Sequence, residues 1–515
     1  MYLVTASEIQ QMDRQTIESF GIPGRVLMEN AGRGATQALL DQFDNITNKN
    51  VGVIAGRGNN GGDGFVIARY LAQKGSNVTV YLFTERAKVK GDAAANLKLL
   101  MSLDISIVEM PDEKTFLAHK LEMCHQDIWV DALLGTGLKS NVKGYFKKVI
   151  EFINDLNKPV FSVDIPSGLN SDTGQICGAC IRAQATASFA FAKTGHMVFP
   201  GVEYTGNLEI IDIGIPDHIV KNIRPKQHIL TRDRIRMGFK SRSPDAHKGT
   251  TGHILVVAGS IGKTGAAAMT AMSAMRAGAG LVTLAIPESL NPVLETQVLE
   301  AMTCPLPETK SGVIGESSFN KIMDLLSGKK CLAIGPGLGE AAQTKKLVHR
   351  IIKESLTTLV IDADGLNNIA GSTQILKKAK APVILTPHPG EMAKLTDSTT
   401  ESVQKDRITC ARRFAKKFNV HIVLKGAKTI IAHPDGKIFI NPTGNPGMAS
   451  GGMGDVLTGI IAGLVSQGFS PESAAHTGVY LHGAAADRLA EKIGPFGYLS
   501  TEVMNAIPGQ IKLIV

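Results

Sequence analysis

Two glycine-rich loops hold the residues able to do chemistry. Each follows a strand-like run, precedes a helix-forming stretch and has strand-end carboxylates nearby. The first is Gly56-Arg57-Gly58-Asn59-Asn60-Gly61-Gly62-Asp63-Gly64, followed by FVIARYLAQKG. Such a loop lets backbone N–H groups approach a phosphate, and a helix N-terminus adds positive potential. The letters fit the G-x-G-x-x-G of dinucleotide folds. The acidic ribose ligand expected about 20 residues on has only Glu85 as a candidate, beside Arg86. That weakens a hydride-transfer reading, while Asn-Asn-Gly-Gly-Asp is unusually polar for turn geometry alone. Asp131 precedes Gly135-Thr136-Gly137-Leu138, and Asp164 lies in Ser162-Val163-Asp164-Ile165-Pro166-Ser167-Gly168. Two strand-end carboxylates beside a polar loop could bind a cation or move a proton. Either alone could simply cap a helix.

The second loop is Asn445-Pro446-Gly447-Met448-Ala449-Ser450-Gly451-Gly452-Met453-Gly454-Asp455, ahead of the apolar VLTGIIAGLV. Glycines at a helix N-terminus make an anion hole for phosphates. An aspartate just inside it could take the proton of a hydroxyl attacking a phosphoryl group. Upstream, Gly259-Ser260-Ile261-Gly262-Lys263-Thr264-Gly265 is not a P-loop, because Val257 stands where that motif needs glycine. His388, between Pro387 and Pro389, fits a ligand contact or a structural turn. Asp362 and Asp364 could support Mg²⁺ or cap a helix. Lys425 and Lys428 suit anionic phosphate, though Lys425 fits a solvated strand-end charge equally well.

The elements that must position these residues follow an α/β pattern. Thr5 to Glu8 reads as a capping box opening a helix through about Phe20. The runs 50–56, 77–83, 127–135, 158–168 and 207–215 are apolar on both faces and alternate with helical stretches. A second series comprises 253–260, 281–286, 331–339, 358–366, 382–391 and 421–431. Doubly apolar strands alternating with helices predict parallel sheets covered on both sides. In such sheets ligands bind at the carboxyl ends of the strands. The polar and glycine-rich residues lie there in both halves. The segment from about 216 to 248 contains Pro225 and Pro244 and places a boundary near 225, giving domains 1–225 and 226–515.

The 515 residues allow two to four domains, and 43% hydrophobic with 20% charged residues excludes wholesale disorder. The net charge is +9, but nine Lys/Arg against two Asp between Lys221 and Lys248 account for most of it. This is a basic joint rather than a nucleic-acid surface, and one Trp with seven Tyr offers no base-stacking platform. Six cysteines, including a lone Cys177-x-x-Cys180 read as thiols, suggest a reducing compartment. No secretion signal or membrane-length apolar run is visible, so a cytoplasmic enzyme is expected.

LMENAG (27–32), GRGNNGGDG (56–64), DALLGTGL (131–138) and SVDIPSGL (162–169) occur in one order and resemble the NAD(P)HX epimerase family. NAD(P)HX is a hydrated, damaged reduced nicotinamide nucleotide. The resemblance implies a Rossmann-like three-layer αβα domain that epimerises the carbon bearing the new hydroxyl. It assigns Asn59, Asn60, Gly61, Gly62 and Asp63 to the substrate, with Gly135, Thr136, Gly137, Leu138, Lys139, Ser140, Asn141 and Asp164. It assigns K⁺ to Asn60, Asp131 and Ser167. Asp164 is the chosen acid/base residue.

The segments 247–260, 265–283, GPGLG (335–339), DADGL (362–366), TPHPGEMAKL (386–395), LKGAKT (424–429) and GNPGMASGGMGDVLTG (444–459) resemble the ADP/ATP-dependent NAD(P)HX dehydratases, which are ribokinase-like. That resemblance implies substrate contacts at Ala266, Gly337 and His388. It implies nucleotide contacts at Lys425, Gly426, Ala427, Lys428, Thr429 and Gly454, with Asp455 activating the substrate hydroxyl. It further implies Mg²⁺, ADP (or ATP) as phosphoryl donor, NADHX and NADPHX as substrates, and a homo-oligomer. Phosphorylation converts a poor leaving group into a good one. Two rivals remain at this stage: a small-molecule kinase for a vitamin alcohol, and a nucleotide sensor built on the first half.

Overall fold

The computed structural model describes residues 1–138 and 140–515. The chain divides into two compact units, Tyr2–Gln227 and His228–Val515, the second also taking Met1.

The first unit holds seven parallel strands: β1 (Asn50–Ala55), β2 (Asn77–Leu82), β3 (Ser106–Glu109), β4 (Ile128–Ala132), β5 (Val160–Val163), β6 (Ala185–Phe189) and β7 (Asn207–Ile211). Their order is β3-β2-β1-β4-β5-β6-β7. The order reverses between β1 and β4, which opens a crevice at their carboxyl ends. Alternate side chains feed two cores. Val51, Val53 and Ala55 join one, while Ile54 joins Tyr81 and Trp129 in the other. A sheet buried on both faces makes three layers.

The N-terminal helix α1 (Ala6–Arg14) is opened by the expected capping box, Thr5 with Glu8, worth about 1 kcal/mol. It continues as a π-helix over Gln15–Phe20. The preceding strand Tyr2–Val4 pairs in parallel with Ala192–Lys193, which fixes α1 beside Lys193.

The sequence predicts a glycine loop over 56–64 with a helix from Phe65. Instead helix α2 spans Asn59–Gln73, so Asn59 to Asp63 form its first turn. Glycine disfavours helix by about 1 kcal/mol per residue, but here packing decides. A Cβ at Gly61 would strike the Gly56 carbonyl, and one at Gly64 would lie 2.6 Å from the Ala132 side chain.

In the second unit β8 (His253–Val257), β9 (Leu281–Pro287), β10 (Met302–Leu306), β11 (Cys331–Ile334), β12 (Thr358–Ile361), β13 (Val383–Leu385) and β14 (His421–Leu424) are parallel. β15 (Ile430–Ala432) and β16 (Ile438–Ile440) follow antiparallel. The order is β10-β9-β8-β11-β12-β13-β14-β15-β16, reversing between β8 and β11. The single strand expected over 421–431 is therefore two strands joined by 425–429. Gly426 at φ +130° and Lys428 at φ +52° turn the chain back. β10 and β16 also lie outside the sequence expectation.

Helices α3 (Thr264–Arg276), α4 (Pro389–Thr396), α5 (Met453–Ser466) and α6 (Pro471–Lys492) complete the framework. α3 and α5 pack through small residues: a Cβ at Gly459 would strike Ser273 Oγ and the Thr270 carbonyl. That close approach holds the α5 N-terminus next to α3. Among the described residues no helix is long and apolar enough to cross a membrane.

Candidate functional site

In the first unit a cavity of about 970 Å³ lies over the β1/β4 switch point. Its lining includes Asn59, Asn60, Gly61, Asp63, Gly135, Thr136, Gly137, Leu138, Ser140 and Asp164. Arg57 and Lys88 add cationic groups. Gly62 does not line it; its Cα faces Met28, whose Sδ would lie 2.7 Å from an added Cβ. Asn141 is exposed beyond the lining, and Lys139 lies outside the described residues.

Asp164 follows β5 in the left-handed region, φ +64°. A non-glycine residue held there stores strain of about 1–3 kcal/mol, overcome by surrounding contacts. Its Oδ1 accepts from Phe189 N at 3.1 Å and from Lys193 Nζ. Lys193 is fully buried and also donates to Ser188 Oγ at 3.0 Å and the Phe189 carbonyl at 3.1 Å.

Two more carboxyls face this pair. Burial pushes Asp63 well above the usual carboxylate range, and the charges of Asp164 and Asp13 push it further. Burial and Asp164 raise Asp13, on α1, to about 6. Asp13 Oδ1 is buried with no hydrogen-bond partner among the described residues. Sequence reasoning missed Asp13 and Lys193. The usable signal was a lone lysine ending the apolar run ATASFAFAK.

Beneath the cavity, Asp131 is fully buried. It accepts from Ser162 Oγ at 2.9 Å, Ser167 N at 2.8 Å, Ser167 Oγ at 2.5 Å and Leu133 N at 3.3 Å. Burial raises its carboxyl despite these donors. Asn60 Nδ2 donates to the Leu134 carbonyl at 3.0 Å, and Ser167 Oγ, whose proton points to Asp131, lies 3.2 Å from the same carbonyl. Asn60 Oδ1 is buried and lacks a hydrogen-bond partner among the described residues. An orphaned amide oxygen, a shared carbonyl, a hydroxyl and a buried anion are the oxygen donors a hard monovalent cation takes, so Asn60, Asp131 and Ser167 fit K⁺.

In the second unit Asp455 lies in the first turn of α5, behind Gly452 at φ +85°. Burial pushes its carboxyl up to about 7, reinforced by Asp362 and opposed by Lys425. Lys425 Nζ donates to Asp362 Oδ1 at 2.7 Å and lies 3.7 Å from Glu391 Oε2. Burial alone would depress Lys425, but Asp362 and Glu391 more than offset it and hold the ammonium above its ordinary range. It is thus a largely enclosed, paired cation, 19% exposed, and not a solvated strand-end charge. A Cβ at Gly454 would sit 3.2 Å from Lys425 Nζ, so Gly454, Lys425 and Asp362 converge at the α5 N-terminus.

Neither Asp362 nor Asp364 caps the helix Asp364–Ile369, whose N-cap Ala363 makes no side-chain cap bond. Asp362 Oδ2 accepts from Thr458 Oγ1 at 2.8 Å. Asp364 Oδ2 accepts from Lys263 Nζ at 2.9 Å and Gly339 N at 2.8 Å.

Gly337, at φ +64°, approaches Ala266: an added Cβ would lie 3.3 Å from the Ala266 side chain. His388 caps α4, with Nδ1 accepting from Gly390 N at 3.0 Å and Glu391 N at 3.3 Å. Its side chain is 56% exposed, so the ring has a capping role and an open face. The 425–429 turn is braced by Arg407, which donates to the carbonyls of Leu424 and Lys425 at 3.1 Å and Ala427 at 2.6 Å. Lys428 Nζ donates to the Pro442 carbonyl at 2.9 Å, and burial lowers its ammonium. Thr429 Oγ1 donates to the Gly426 carbonyl at 3.0 Å.

Fold and sites define a two-unit α/β protein, one unit with a carboxylate–lysine cavity and the other ribokinase-like with an aspartate at a glycine-rich helix N-terminus. Residues 24–195 match the family described as YjeF-related protein N-terminus, and 254–509 match NAD(P)H-hydrate dehydratase. A bifunctional NAD(P)H-hydrate repair enzyme of Moorella thermoacetica is 41% identical, covering 99% of this chain and 96% of its own. The Escherichia coli enzyme of that name is 33% identical, covering 98% and 92%. An ADP/ATP-dependent NAD(P)H-hydrate dehydratase of Bacillus subtilis, crystallised with ATP/Mg²⁺, is 33% identical with a TM-score of 0.51, covering 56% of this chain and 99% of its own. The chain belongs to the bifunctional NAD(P)H-hydrate repair enzyme family.

Proposed function

We propose that this chain repairs hydrated NADH and NADPH: one unit interconverts the R and S epimers of NAD(P)HX, and the other dehydrates the S epimer at the expense of ADP or ATP. The observation that carries the reading is Asp455, a part-buried carboxyl raised to about 7 at a glycine-rich helix N-terminus beside the Lys425–Asp362 pair. Residues 1–225 are assigned the epimerase and 226–515 the dehydratase.

In the dehydratase unit the α5 N-terminus and the 425–429 turn receive the nucleotide, and Ala266, Gly337 and His388 receive the hydrated nicotinamide. Asp455 takes the proton of the ring hydroxyl as that oxygen attacks the terminal phosphoryl group. Phosphate then leaves with the electrons of its C–O bond, the adjacent ring carbon loses a proton, and those C–H electrons restore the ring double bond. Bound Mg²⁺ would supply charge neutralisation on the phosphates. Both Asp362 oxygens already accept hydrogen bonds, so phosphate oxygens would supply most of its ligands.

In the epimerase unit Asn59 to Asp63 and Gly135 to Asn141 receive the substrate. Asp164, held by Lys193, moves the proton during exchange at the hydroxyl-bearing carbon. K⁺ at Asn60, Asp131 and Ser167 would supply a fixed positive charge under the substrate loop. A homo-oligomer in the cytoplasm completes the reading.

The test incubates purified protein with an epimer mixture of NADHX, Mg²⁺, K⁺ and either ADP or ATP, following reduced-nicotinamide absorbance. Wild type should recover the full signal. Asp164→Asn should consume only the S epimer beyond spontaneous exchange, and Asp455→Asn should recover none. No nucleotide-dependent recovery by wild type would overturn the reading in favour of a small-molecule kinase.

A further inference from the structure

Away from the sites above, the second unit buries a chain of imidazoles. His433, 1% exposed, and His476, 3% exposed, bring their Nε2 atoms to 2.8 Å. His421 Nδ1 lies 2.8 Å from His433 Nδ1. Glu472 offers a carboxylate oxygen within 4.8 Å of the His433 and His476 nitrogens. We propose that His433, His476 and Glu472 form a binding site for a divalent transition metal of the zinc class, linking the turn after β15 to the first turn of α6.

Three observations carry this. Glu472 and His476 stand four residues apart on α6, so both project from one face of the helix. His433 comes from the other side, at the start of the 433–437 turn between β15 and β16. Ligands from two elements converging on one point are what a structural metal needs, since the site then ties segments together.

Second, the outer contacts are already those of ligating groups. A ring bound through Nε2 must carry its hydrogen on Nδ1, and His433 Nδ1 faces the acceptor-capable His421 Nδ1 at 2.8 Å. Arg234 Nη2 donates to Glu472 Oε1 at 3.2 Å, orienting the carboxylate.

Third, the spacing is close to that required. Two nitrogens on a tetrahedral zinc lie about 3.3 Å apart, given Zn–N bonds of about 2.0–2.1 Å. The two Nε2 atoms therefore need to part by only about half an ångström, within rotamer adjustment. Two imidazoles and a carboxylate select zinc, cobalt, nickel or copper over the Mg²⁺ of the nucleotide site. Three protein ligands leave one position for water.

Arg234, whose guanidinium lies 4.4 Å from the Phe439 ring centre, and Lys437 are nearby charges opposing a cation, while Asp435 favours one. Without metal the three rings would form a neutral hydrogen-bonded chain. Metal binding separates these alternatives.

The experiment uses the full chain stripped with a chelator, titrated with Co²⁺ as a visible-absorbing probe and then with Zn²⁺ in competition. Expected are one equivalent of Co²⁺ with the strong visible bands of a four- or five-coordinate site, displacement by Zn²⁺, and a thermal midpoint that rises with Zn²⁺. Glu472→Gln and His476→Gln should each lose the bands, and His421→Gln should weaken binding about 10–100-fold. Glu472 is partly exposed on a helix, so its variant keeps the test readable where the buried histidine variant fails to fold. A wild type that binds no metal, or binding and bands unchanged in Glu472→Gln, would overturn the proposal. Recovery of NAD(P)H should be unchanged in Glu472→Gln.

Discussion

Lys425 Nζ lies 2.7 Å from Asp362 Oδ1, while Thr458 Oγ1 donates to the other oxygen of the same carboxylate at 2.8 Å. This largely enclosed pair joins the end of β12 to the end of β14 and to α5. Both ends carry substantial desolvation, so the pair matters most when one member is removed. Asp362→Asn keeps an acceptor for Thr458 but leaves Lys425 with Glu391, 3.7 Å away, and the weaker influence of Asp455. Denaturant unfolding should show a loss of about 3–5 kcal/mol. A loss below about 1 kcal/mol would show that the pair is solvated in solution.

The dehydratase pH profile should report Asp455. A base must be ionised to accept a proton, so kcat/KM should rise with pH through an apparent pKa near 7. After burial, the Asp362 charge is the largest influence raising Asp455, so a residual activity in Asp362→Asn should move that limb to lower pH. A profile flat from pH 5 to about 8 would remove Asp455 as the proton acceptor.

The same shift fixes a stability sign. A carboxyl raised from the ordinary 3.8 to about 7 binds more protons folded than unfolded between those values. Stability therefore falls as pH rises across that window. Asp455→Asn removes the penalty and should stabilise the fold at pH 8 by on the order of 2 kcal/mol while abolishing turnover. Equal or lower stability in thermal unfolding at pH 8 would contradict the part-buried, raised carboxyl.

Legibility in the sequence followed how locally each feature is determined. Asp164 and Asp455 stood out because each ends a strand or opens a helix amid glycines. The parallel sheets were legible from doubly apolar runs such as 51–55. The helical start at Asn59 was not, because glycine disfavours helix and only the close approach of α2 to Gly56 and Ala132 explains it. The reversal at 425–429 was hidden because Ala427 and Thr429 continue a strand-like run, while positive φ at Lys428 is invisible in the letters. Asp13 lies 151 residues from Asp164 in sequence, and only the pairing of Tyr2–Val4 with Ala192–Lys193 places α1 beside the cavity.

Asp63 and Asp164 should differ sharply in their response to amide substitution. Burial and the Asp164 and Asp13 charges push Asp63 well above the usual carboxylate range, toward the protonated acid that asparagine resembles in shape. Asp63→Asn should therefore change unfolding free energy by less than about 1 kcal/mol at pH 7. Asp164→Asn strands the fully buried Lys193 and should cost about 3–5 kcal/mol. Comparable losses in the two variants would contradict the assignment of charge within the cluster.

Epimerisation should depend on K⁺ through Asn60. Its Oδ1 is buried with no hydrogen-bond partner among the described residues, whereas its Nδ2 is committed to the Leu134 carbonyl. Replacing K⁺ by Li⁺, too small to reach several fixed oxygens at once, should slow R/S exchange in wild type and leave the nucleotide-dependent step on pure S epimer unaltered. Asn60→Ala removes both the oxygen and one of the contacts that hold Leu134, so its residual exchange should be insensitive to the cation and about 10–100-fold slower. Chiral separation of the epimers over time measures this directly. Exchange in wild type equal in K⁺ and Li⁺ would show that Asn60 Oδ1 meets a substrate group and not an ion.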